Sequence, residues 1–469
     1  MSDGQPGDRG ASALARLSTG SRELDEILGG GFPTNSINII MGEPGSGKTI
    51  LAERLMFANA GDDRPILFFT TLSEPLAKVV RYLQEFEFFE EAKLVSGAVI
   101  YDSFGEDLAT EGVKSLVPRL KEAIKTLSPK IIVIDSFKAI HDLSSSVPEM
   151  RRMLYEMAGL MTAYDTTVFL VGEYDEKMIP SLPEFAVADG IVELARRKQG
   201  TRDERYLRVL KLRGSHYQEG LHAFRINARG LEVYPRLTSP EVPTDYSNDR
   251  RRVSTGVKGL DQMLRGGFWV GSSTLIQGST GSGKTTLALQ FVLDGLTRGE
   301  PGLYLNFQEN PTQLARSIEG LGVNVDEAKA RGLHLMYASP VELQIDSILV
   351  KLFGIIEERG IKRVAVDAVG DLVHASSDLP RVLGYLYALS QHFSARKIAS
   401  VMTLETSDVG LGPIAGHVSA MSDAILRVAV ERGHDRSRRV LQVIKARGTE
   451  HDLDVREFVI TGNGLDVVL

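Results

Sequence analysis

The chain has no cysteine among its 469 residues, which excludes disulfide bonds and thiolate zinc sites. It also has no apolar run long enough to span a membrane. The N-terminal segment MSDGQPGDRG is polar and lacks the apolar core of a secretory signal. These absences predict a cytoplasmic protein that makes no contact with a membrane.

An excess of basic residues is missing as well. The formal net charge is −7, with 30 Lys and Arg against 37 Asp and Glu in residues 1–250 and 24 of each in residues 251–469. A protein that holds nucleic acid mainly through its phosphates is expected to be basic. The chain is 43% apolar and 25% charged, which is typical of globular domains, and its length suits two or three of them.

The sequence repeats itself once. Four segments recur 234 to 236 residues later: LSTG at 17–20 as VSTG at 253–256, GGF at 30–32 as GGF at 266–268, GEPGSGKT at 42–49 as GSTGSGKT at 278–285, and KLRG at 211–214 as KARG at 445–448. We therefore predict two tandem homologous domains, at residues 14–238 and 253–469, with a linker at 239–252 and a disordered N-terminus at 1–13.

Each copy alternates short apolar runs with helical patterns. The runs lie at 37–41, 66–70, 131–134 and 167–171 in the first copy, and at 274–277, 303–307, 364–366 and 400–404 in the second. Such runs fit strands buried on both faces of a parallel sheet. Residues 205–212 and 439–446 instead alternate, as hairpin strands do. The fold class predicted is α/β: two tandem domains, each a mostly parallel sheet flanked by helices with a C-terminal antiparallel hairpin.

The strongest chemical signal is the phosphate-binding loop (P-loop) pattern G-x-x-x-x-G-K-[ST], which occurs once in each copy between a predicted strand and a predicted helix. Its glycines let backbone N–H groups surround a phosphate at a helix N-terminus, and its lysine reaches the β- and γ-phosphates. This pattern predicts that both copies bind ATP. The candidate nucleotide-binding residues are Gly42, Gly45, Ser46, Gly47, Lys48, Thr49 and Ile50 in the first copy, and Gly278, Gly281, Ser282, Gly283, Lys284, Thr285 and Thr286 in the second.

Magnesium should accompany the nucleotide. Thr49 and Thr285 follow the P-loop lysines, and Asp135 and Asp367 end the buried runs IIVID and VAVD. A hydroxyl and a strand-end carboxylate are the groups that orient Mg²⁺ in such sites. An Asp at the end of a strand can also serve as a helix cap, but its occurrence with the P-loop in both copies favours the metal role.

In each copy, a glutamate comes just after the strand that follows the P-loop, at Glu74 and at Glu309. A carboxylate there could activate the attacking water as a general base. It could equally be an N-terminal helix charge favoured by the helix dipole.

Two cations stand close together near the end of each copy: Lys211 with Arg213, and Lys445 with Arg447. Residues two apart on a strand point to the same face, so each pair presents its charges together. One interpretation is an exposed, solubilising edge strand. The other is a cationic clamp that reaches the γ-phosphate held by a neighbouring subunit, as an arginine finger does.

In combination, the tandem copies, the LSTG…LD…GGF segment before each P-loop and the K-x-R-G strands resemble the KaiC-type ATPases of the RecA-like superfamily. The resemblance spans residues 17–464 and implies that each copy is a RecA-like P-loop NTPase domain. It implies a homo-hexameric, two-tiered ring with ATP held between subunits, the P-loop coming from one subunit and the Lys–Arg pair from the next. It also implies protein partners, KaiB-like or other signalling proteins.

The resemblance further implies a phosphorylation site, because the clock member of the family phosphorylates an adjacent Ser-Thr pair that matches Ser419 and Ala420. Three departures are visible. The acceptor Thr is Ala420, the first residue of a Glu-Glu pair is Ser73 in one copy and Gln308 in the other, and the chain stops without the clock protein's long C-terminal tail. Ser419 could alternatively cap or satisfy a loop.

Three functions follow as candidates. The first is a ring ATPase that signals its nucleotide or phosphorylation state to protein partners. The second is a DNA-dependent recombinase or helicase, but the segments 142–149, 371–379 and 406–423 contain no Lys or Arg to contact a phosphate backbone. We therefore expect no nucleic-acid partner. The third is a nucleotide-dependent scaffold with negligible turnover, which the missing carboxylates keep open.

Overall fold

The computed structural model describes residues 14–61, 63–71, 76–199, 202–240, 249–374, 378–406, 413–432 and 436–468. The chain divides into two compact units between Arg236 and Leu237. The expected disordered segment 1–13 and most of the expected linker lie outside the described residues. The finer domain bounds therefore stay predictions. No helix in the described ranges combines the length and the apolar character needed to cross a bilayer.

The first unit contains eleven described strands: β1 (Arg16–Leu17), β2 (Phe32–Pro33), β3 (Ile37–Gly42), β4 (Ile66–Thr70), β5 (Val99–Ser103), β6 (Ile131–Asp135), β7 (Thr167–Gly172), β8 (Gly190–Gln199), β9 (Arg202–Leu212), β10 (His222–Asn227) and β11 (Gly230–Tyr234). Its described helices are α1 (Arg22–Ile27), α2 (Lys48–Asn59), α3 (Leu76–Leu83), α4 (Glu91–Val95), α5 (Gly105–Glu111), α6 (Leu116–Leu127), α7 (Phe137–Asp142), α8 (Val147–Ala163) and α9 (Pro183–Val187), with 3-10 turns at Gly112–Ser115 and Glu176–Met178.

The second unit repeats this order among its described residues. Its strands are β12 (Arg252–Val253), β13 (Phe268–Trp269), β14 (Ser273–Gly278), β15 (Gly302–Asn306), β16 (Leu333–Tyr337), β17 (Arg363–Asp367), β18 (Ala399–Glu405), β19 (Ala424–Arg432), β20 (Ser437–Ala446), β21 (Arg456–Thr461) and β22 (Gly464–Val467). Its helices are α10 (Lys258–Met263), α11 (Lys284–Thr297), α12 (Pro311–Glu319), α13 (Val325–Ala330), α14 (Ile345–Arg359), α15 (Val369–His374), α16 (Leu379–Ala395) and α17 (Pro413–Met421), with a 3-10 turn at Pro340–Glu342.

Within the described residues, each unit is built on a nine-stranded sheet. The strand order is β11-β10-β9-β8-β3-β7-β6-β4-β5 in the first unit and β22-β21-β20-β19-β14-β18-β17-β15-β16 in the second. In the first unit, six neighbouring strands pair in parallel, in the order β8-β3-β7-β6-β4-β5. Strands β9, β10 and β11 extend the sheet beyond β8 with antiparallel pairing. The α/β class, the duplication and the antiparallel C-terminal strands are thereby confirmed.

The P-loop strand lies inside each sheet, between two parallel neighbours, and is buried on both faces. In β3, Ile39 and Met41 belong to the hydrophobic core on one side of the sheet, and Ile40 belongs to the core on the other. All three side chains are completely buried. This explains why the strand reads as a continuous apolar run rather than an alternating one.

The repeated LSTG…LD segment forms a hydrogen-bonded turn at the start of each unit. Asp25 accepts hydrogen bonds from the backbone N–H and the hydroxyl of Thr19, both at 2.7 Å, and from the Ser18 hydroxyl at 2.6 Å. Asp261 makes the same three contacts with Ser254 and Thr255. The segment recurs because one carboxylate satisfies a whole turn of polar groups.

Candidate functional site

In the first unit, strand β3 leads into the P-loop and helix α2 begins directly after it. A Cβ at Gly42 would lie 2.0 Å from the carbonyl oxygen of Leu194, so only glycine fits there. Gly45 and Gly47 have φ angles of 71° and 105°, which favour glycine. The buried Ser46 hydroxyl has no hydrogen-bond partner within the described residues. Loop and helix N-terminus together fit a bound phosphate.

The second P-loop has the same form. A Cβ at Gly278 would meet the carbonyl oxygen of Val428 at 2.0 Å, and Gly281 and Gly283 have φ angles of 74° and 105°. Here the Ser282 hydroxyl donates to the carbonyl oxygen of Ser279 at 2.7 Å. Helix α11 begins at Lys284, so Thr285 and Thr286 occupy its first turn, as Thr49 and Ile50 do in α2.

Both P-loop lysines turn back onto their own loops. The ammonium of Lys48 donates to the carbonyl oxygen of Glu43, and that of Lys284 to the carbonyl oxygen of Ser279, each at 2.8 Å. Burial lowers the pKa of each lysine, while nearby carboxylates oppose the shift. A phosphate oxygen is a stronger partner for an ammonium than a neutral carbonyl, so a nucleotide could replace this contact.

The predicted magnesium residues meet in both units. The Thr49 hydroxyl donates to Asp135 Oδ2 at 2.6 Å, and the Thr285 hydroxyl donates to Asp367 Oδ2 at 2.8 Å. Burial is the main cause that raises the pKa of Asp135. A hydroxyl and one carboxylate beside a phosphate-binding loop suit Mg²⁺, which keeps several waters and takes its remaining ligands from the nucleotide.

Two further carboxylates near the P-loops were not predicted from the sequence. Glu173 follows β7 and Glu405 ends β18, and β7 and β18 are the strands beside the P-loop strands. Among the carboxylates that oppose the lowering of the lysine pKa, Glu173 has the largest effect on Lys48 and Glu405 has the largest effect on Lys284. Glu405 also accepts a hydrogen bond from the Thr280 hydroxyl of the loop. The signal was present, because a Glu follows the fourth apolar run of both copies.

Of the two candidate general bases, Glu309 is described and Glu74 lies outside the described residues. The Glu309 side chain accepts a hydrogen bond from the Ser317 hydroxyl at 3.2 Å. Burial, and then the charge of Asp367, raises the pKa of Glu309. Gln308, which stands where the family's first carboxylate is expected, donates through its amide to Asp371 at 3.0 Å.

A buried glutamate distinguishes the first site from the second. Glu53, one turn after Thr49 on α2, is 7% exposed and lines a cavity of about 830 Å³ together with Asp135 and Tyr101. Burial and then the charge of Asp135 raise the pKa of Glu53 to about 8. The corresponding position on α11 is Leu289, which packs in the core.

In each sheet, the carboxyl ends of the parallel strands form one edge and their amino ends form the opposite edge. The P-loop lies at the first of these edges, and the Lys–Arg pair of the same unit lies at the second. Strand β9 ends beside the start of β8, with Leu212 opposite Gly190, and β8 itself starts beside Asn38 near the start of β3. The P-loop, by contrast, begins where β3 ends. At about 3.3 Å per residue, the length of β3 puts about 16 Å between the two edges.

An aspartate that was not in the predicted set holds each arginine. Asp189 accepts from the Arg213 guanidinium at 3.2 Å and from the backbone N–H of Ile37 at 3.0 Å. In the second unit, Asp423 accepts from Ser273 N–H at 3.0 Å and lies 3.8 Å from Arg447. Both arginine side chains remain more than half exposed.

Ser419 lies on helix α17, at the same edge as the second Lys–Arg pair. The Lys445 ammonium donates to the carbonyl oxygens of Ser419 and Ser422, and the Arg447 guanidinium donates to the carbonyl oxygen of Ala420 at 2.9 Å. In the first unit, Lys211 makes a longer contact, at 3.5 Å, with the carbonyl oxygen of Phe185. The two cations thus bind the C-terminal carbonyls of the helix that carries Ser419.

Comparison with known proteins decides the family. The KaiC ATPase family model matches residues 17–238 and again residues 253–469. The chain belongs to the KaiC ATPase family. The circadian clock oscillator protein KaiC of Parasynechococcus marenigrum is 29% identical over 468 residues, covering 96% of this chain and 90% of that protein. KaiC of Thermosynechococcus vestitus is 27% identical over 476 residues, covering 98% and 90%.

The family assignment confirms the resemblance drawn from the repeated motifs and supports ATPase activity in general. KaiC of Picosynechococcus is similar over a comparable span, at 27% identity across 94% of this chain and 87% of its own length. The similarity therefore includes both P-loops and both Lys–Arg strands.

Proposed function

We propose that this KaiC family member binds one Mg·ATP at each P-loop, hydrolyses both, and does so between the subunits of a homo-hexameric, two-tiered ring. The two P-loops support the binding of two nucleotides, since each has room for backbone donation to phosphate and an adjacent lysine. The Thr49–Asp135 and Thr285–Asp367 pairs would hold Mg²⁺, which supplies neutralisation of charge on the phosphate oxygens.

The position of the Lys–Arg pairs carries the proposal of a ring. Lys211 and Arg213 lie at the sheet edge opposite the P-loop of their own unit, and the same holds for Lys445 and Arg447. They cannot serve the phosphate bound by their own P-loop, so their phosphate partner would belong to a neighbouring subunit. Head-to-tail contacts of this kind close into rings when the rotation between subunits allows it.

The residues of the two sites would divide the chemistry. Lys48 and Lys284 would contact the β- and γ-phosphates, and the neighbouring subunit's Arg213 and Arg447 would stabilise charge that develops during transfer. Glu309 would accept the proton of the attacking water in the second site, and burial raises its pKa, which favours the uptake of a proton. Glu74 would have that role in the first site.

We also propose that Ser419 is phosphorylated. Because α17 lies at the edge that carries Lys445 and Arg447, the Ser419 hydroxyl would face the neighbouring subunit's nucleotide rather than its own. The hydroxyl oxygen would attack the γ-phosphorus, the bond between the γ-phosphorus and the β,γ-bridging oxygen would break with ADP as the leaving group, and Glu309 of the subunit holding that ATP would take the hydroxyl proton. An added phosphate would bring nearly two negative charges to the interface.

The biological output we propose is a signal to protein partners, KaiB-like or other, set by nucleotide or phosphorylation state. Native mass and ATP turnover, each measured with and without Mg·ATP, test the proposal. We expect a hexamer in saturating Mg·ATP, because a ligand that the assembled form binds more tightly than the monomer favours assembly by mass action. A monomer under those conditions would rule the ring out, and nucleotide binding without turnover would leave a scaffold.

A further inference from the structure

The two magnesium carboxylates have different surroundings. Asp367 in the second site accepts hydrogen bonds from three hydroxyl groups: Thr285 at 2.8 Å and Tyr304 at 2.7 Å on Oδ2, and Thr403 on Oδ1. Tyr304 is completely buried on β15, and Thr403 is completely buried on β18. Both oxygens of the carboxylate are therefore fixed from the neighbouring strands on either side.

The first site lacks two of these three donors. Sheet register pairs Phe68 with Val133, two residues before Asp135, just as Tyr304 pairs with Ala365, two residues before Asp367. Register also makes Val171 the counterpart of Thr403. Val171 pairs with the third residue after the start of β3, and Thr403 pairs with the third residue after the start of β14. Among the described side chains, Thr49 alone donates a hydrogen bond to Asp135.

We propose that Tyr304 and Thr403 are positioning residues for Mg²⁺ in the second site, and that their replacement by Phe68 and Val171 makes the first site the weaker magnesium site. The proposal rests on the proposed function and deepens it. A carboxylate held through both oxygens keeps the orientation that the ion needs, whereas the described side chains hold Asp135 through one oxygen only. Partners of this kind, behind a metal ligand, commonly change metal affinity about 10- to 100-fold.

Buried Glu53 adds to the difference. It lines the same cavity as Asp135, and its place on α11 is taken by the hydrocarbon of Leu289. The first site thus has a second carboxyl group where the second site has a leucine, and it lacks the counterparts of the Tyr304 and Thr403 hydroxyl donors. The three exchanged positions lie on three different elements (α2 or α11, β4 or β15, and β7 or β18).

The simplest alternative is that the two hydroxyls only satisfy a buried charge and stabilise the fold. To distinguish the two, each site is isolated in the full-length chain: Lys48→Ala leaves the second site and Lys284→Ala leaves the first. Tyr304→Phe and Thr403→Val are then made in the Lys48→Ala chain. Both changes remove a hydroxyl with little change of shape, and each serves if the other does not fold.

The measurements are Mn²⁺ binding by electron paramagnetic resonance in the presence of mant-ADP, and mant-ADP fluorescence in EDTA. We expect each variant to need about tenfold more Mn²⁺ for half-saturation, with nucleotide affinity in EDTA unchanged. The reverse exchange, Phe68→Tyr with Val171→Thr in the Lys284→Ala chain, should lower the Mn²⁺ midpoint of the first site.

An unchanged Mn²⁺ midpoint in Tyr304→Phe and Thr403→Val would overturn the proposal. An equal loss of nucleotide affinity in EDTA would overturn it too, because it would show a purely structural role. Failure of the proposed function looks different: the Lys48→Ala and Lys284→Ala chains would then each still bind two mant-ADP molecules.

Discussion

Glu53 should make the stability of the first domain unusually dependent on pH. Burial raises the pKa of this carboxyl from its ordinary 4.5 to about 8 in the folded chain. Below pH 4.5 both the folded and the unfolded states hold the proton. As pH rises the unfolded chain releases it first, so the free energy of unfolding falls until the folded state also ionises near pH 8. The amide side chain of the Glu53→Gln variant has no proton to release and escapes this loss.

The size of the effect follows from about 1.4 kcal/mol per pKa unit. The stability advantage of Glu53→Gln over the native chain should be small at about pH 5 and should grow by about 3 to 4 kcal/mol between about pH 5 and pH 8. The assay is urea unfolding followed by circular dichroism at both pH values, in EDTA and without nucleotide, since a bound cation would favour the ionised carboxyl.

Two controls accompany this measurement. Glu111→Gln replaces an exposed carboxyl and controls for the loss of one carboxylate charge from the chain. Trp269 is the single tryptophan of the sequence and lies in the second domain. Its fluorescence therefore reports the unfolding of the domain that does not contain Glu53. Equal stability differences at the two pH values for Glu53→Gln would refute the reasoning.

The remaining predictions concern the proposed sites. Lys48→Ala and Lys284→Ala should each remove one bound nucleotide per chain in equilibrium dialysis, and loading equal to the native chain would contradict this. Arg213→Ala and Arg447→Ala should weaken hexamer formation in light scattering and reduce ATP turnover, while leaving monomer nucleotide binding intact; unchanged assembly and turnover would argue for a solubilising strand. Incubation with Mg·ATP should add about 80 Da, one phosphate, to the native chain but not to Ser419→Ala, and an equal gain in both would exclude Ser419 as the acceptor.

The sequence predicted the fold well because its strongest signals are local. A P-loop between an apolar run and a helix fixes the central strand, and the second copy supports each interpretation of the first. The edge strands Val99–Ser103 and Leu333–Tyr337 were not predicted, because most of their side chains are only partly buried and their letters do not form an apolar run.

The site was predictable only where residues follow one another in a motif. Asp189, which holds Arg213, and Tyr304, which holds Asp367, belong to other parts of the sheet, and only the strand register brings them together. Comparison of the two copies could have found Glu173 and Glu405, since both follow the same apolar run. The unequal surroundings of Asp135 and Asp367 needed the structure, because a Phe68-for-Tyr304 exchange looks conservative in sequence.

The contact between Asp189 and the start of β3 has a mechanical consequence. One carboxylate joins the exposed Arg213 to Ile37, and from there a stiff strand runs without interruption to Gly42 at the entrance of the P-loop. A displacement of Arg213 would shift this strand as a unit and reach the P-loop, because close-packed interiors have low compressibility and transmit strain. In the proposed ring, every subunit would thereby sense through its own sheet whether its neighbour holds a nucleotide, and turnover could pass from site to site in sequence.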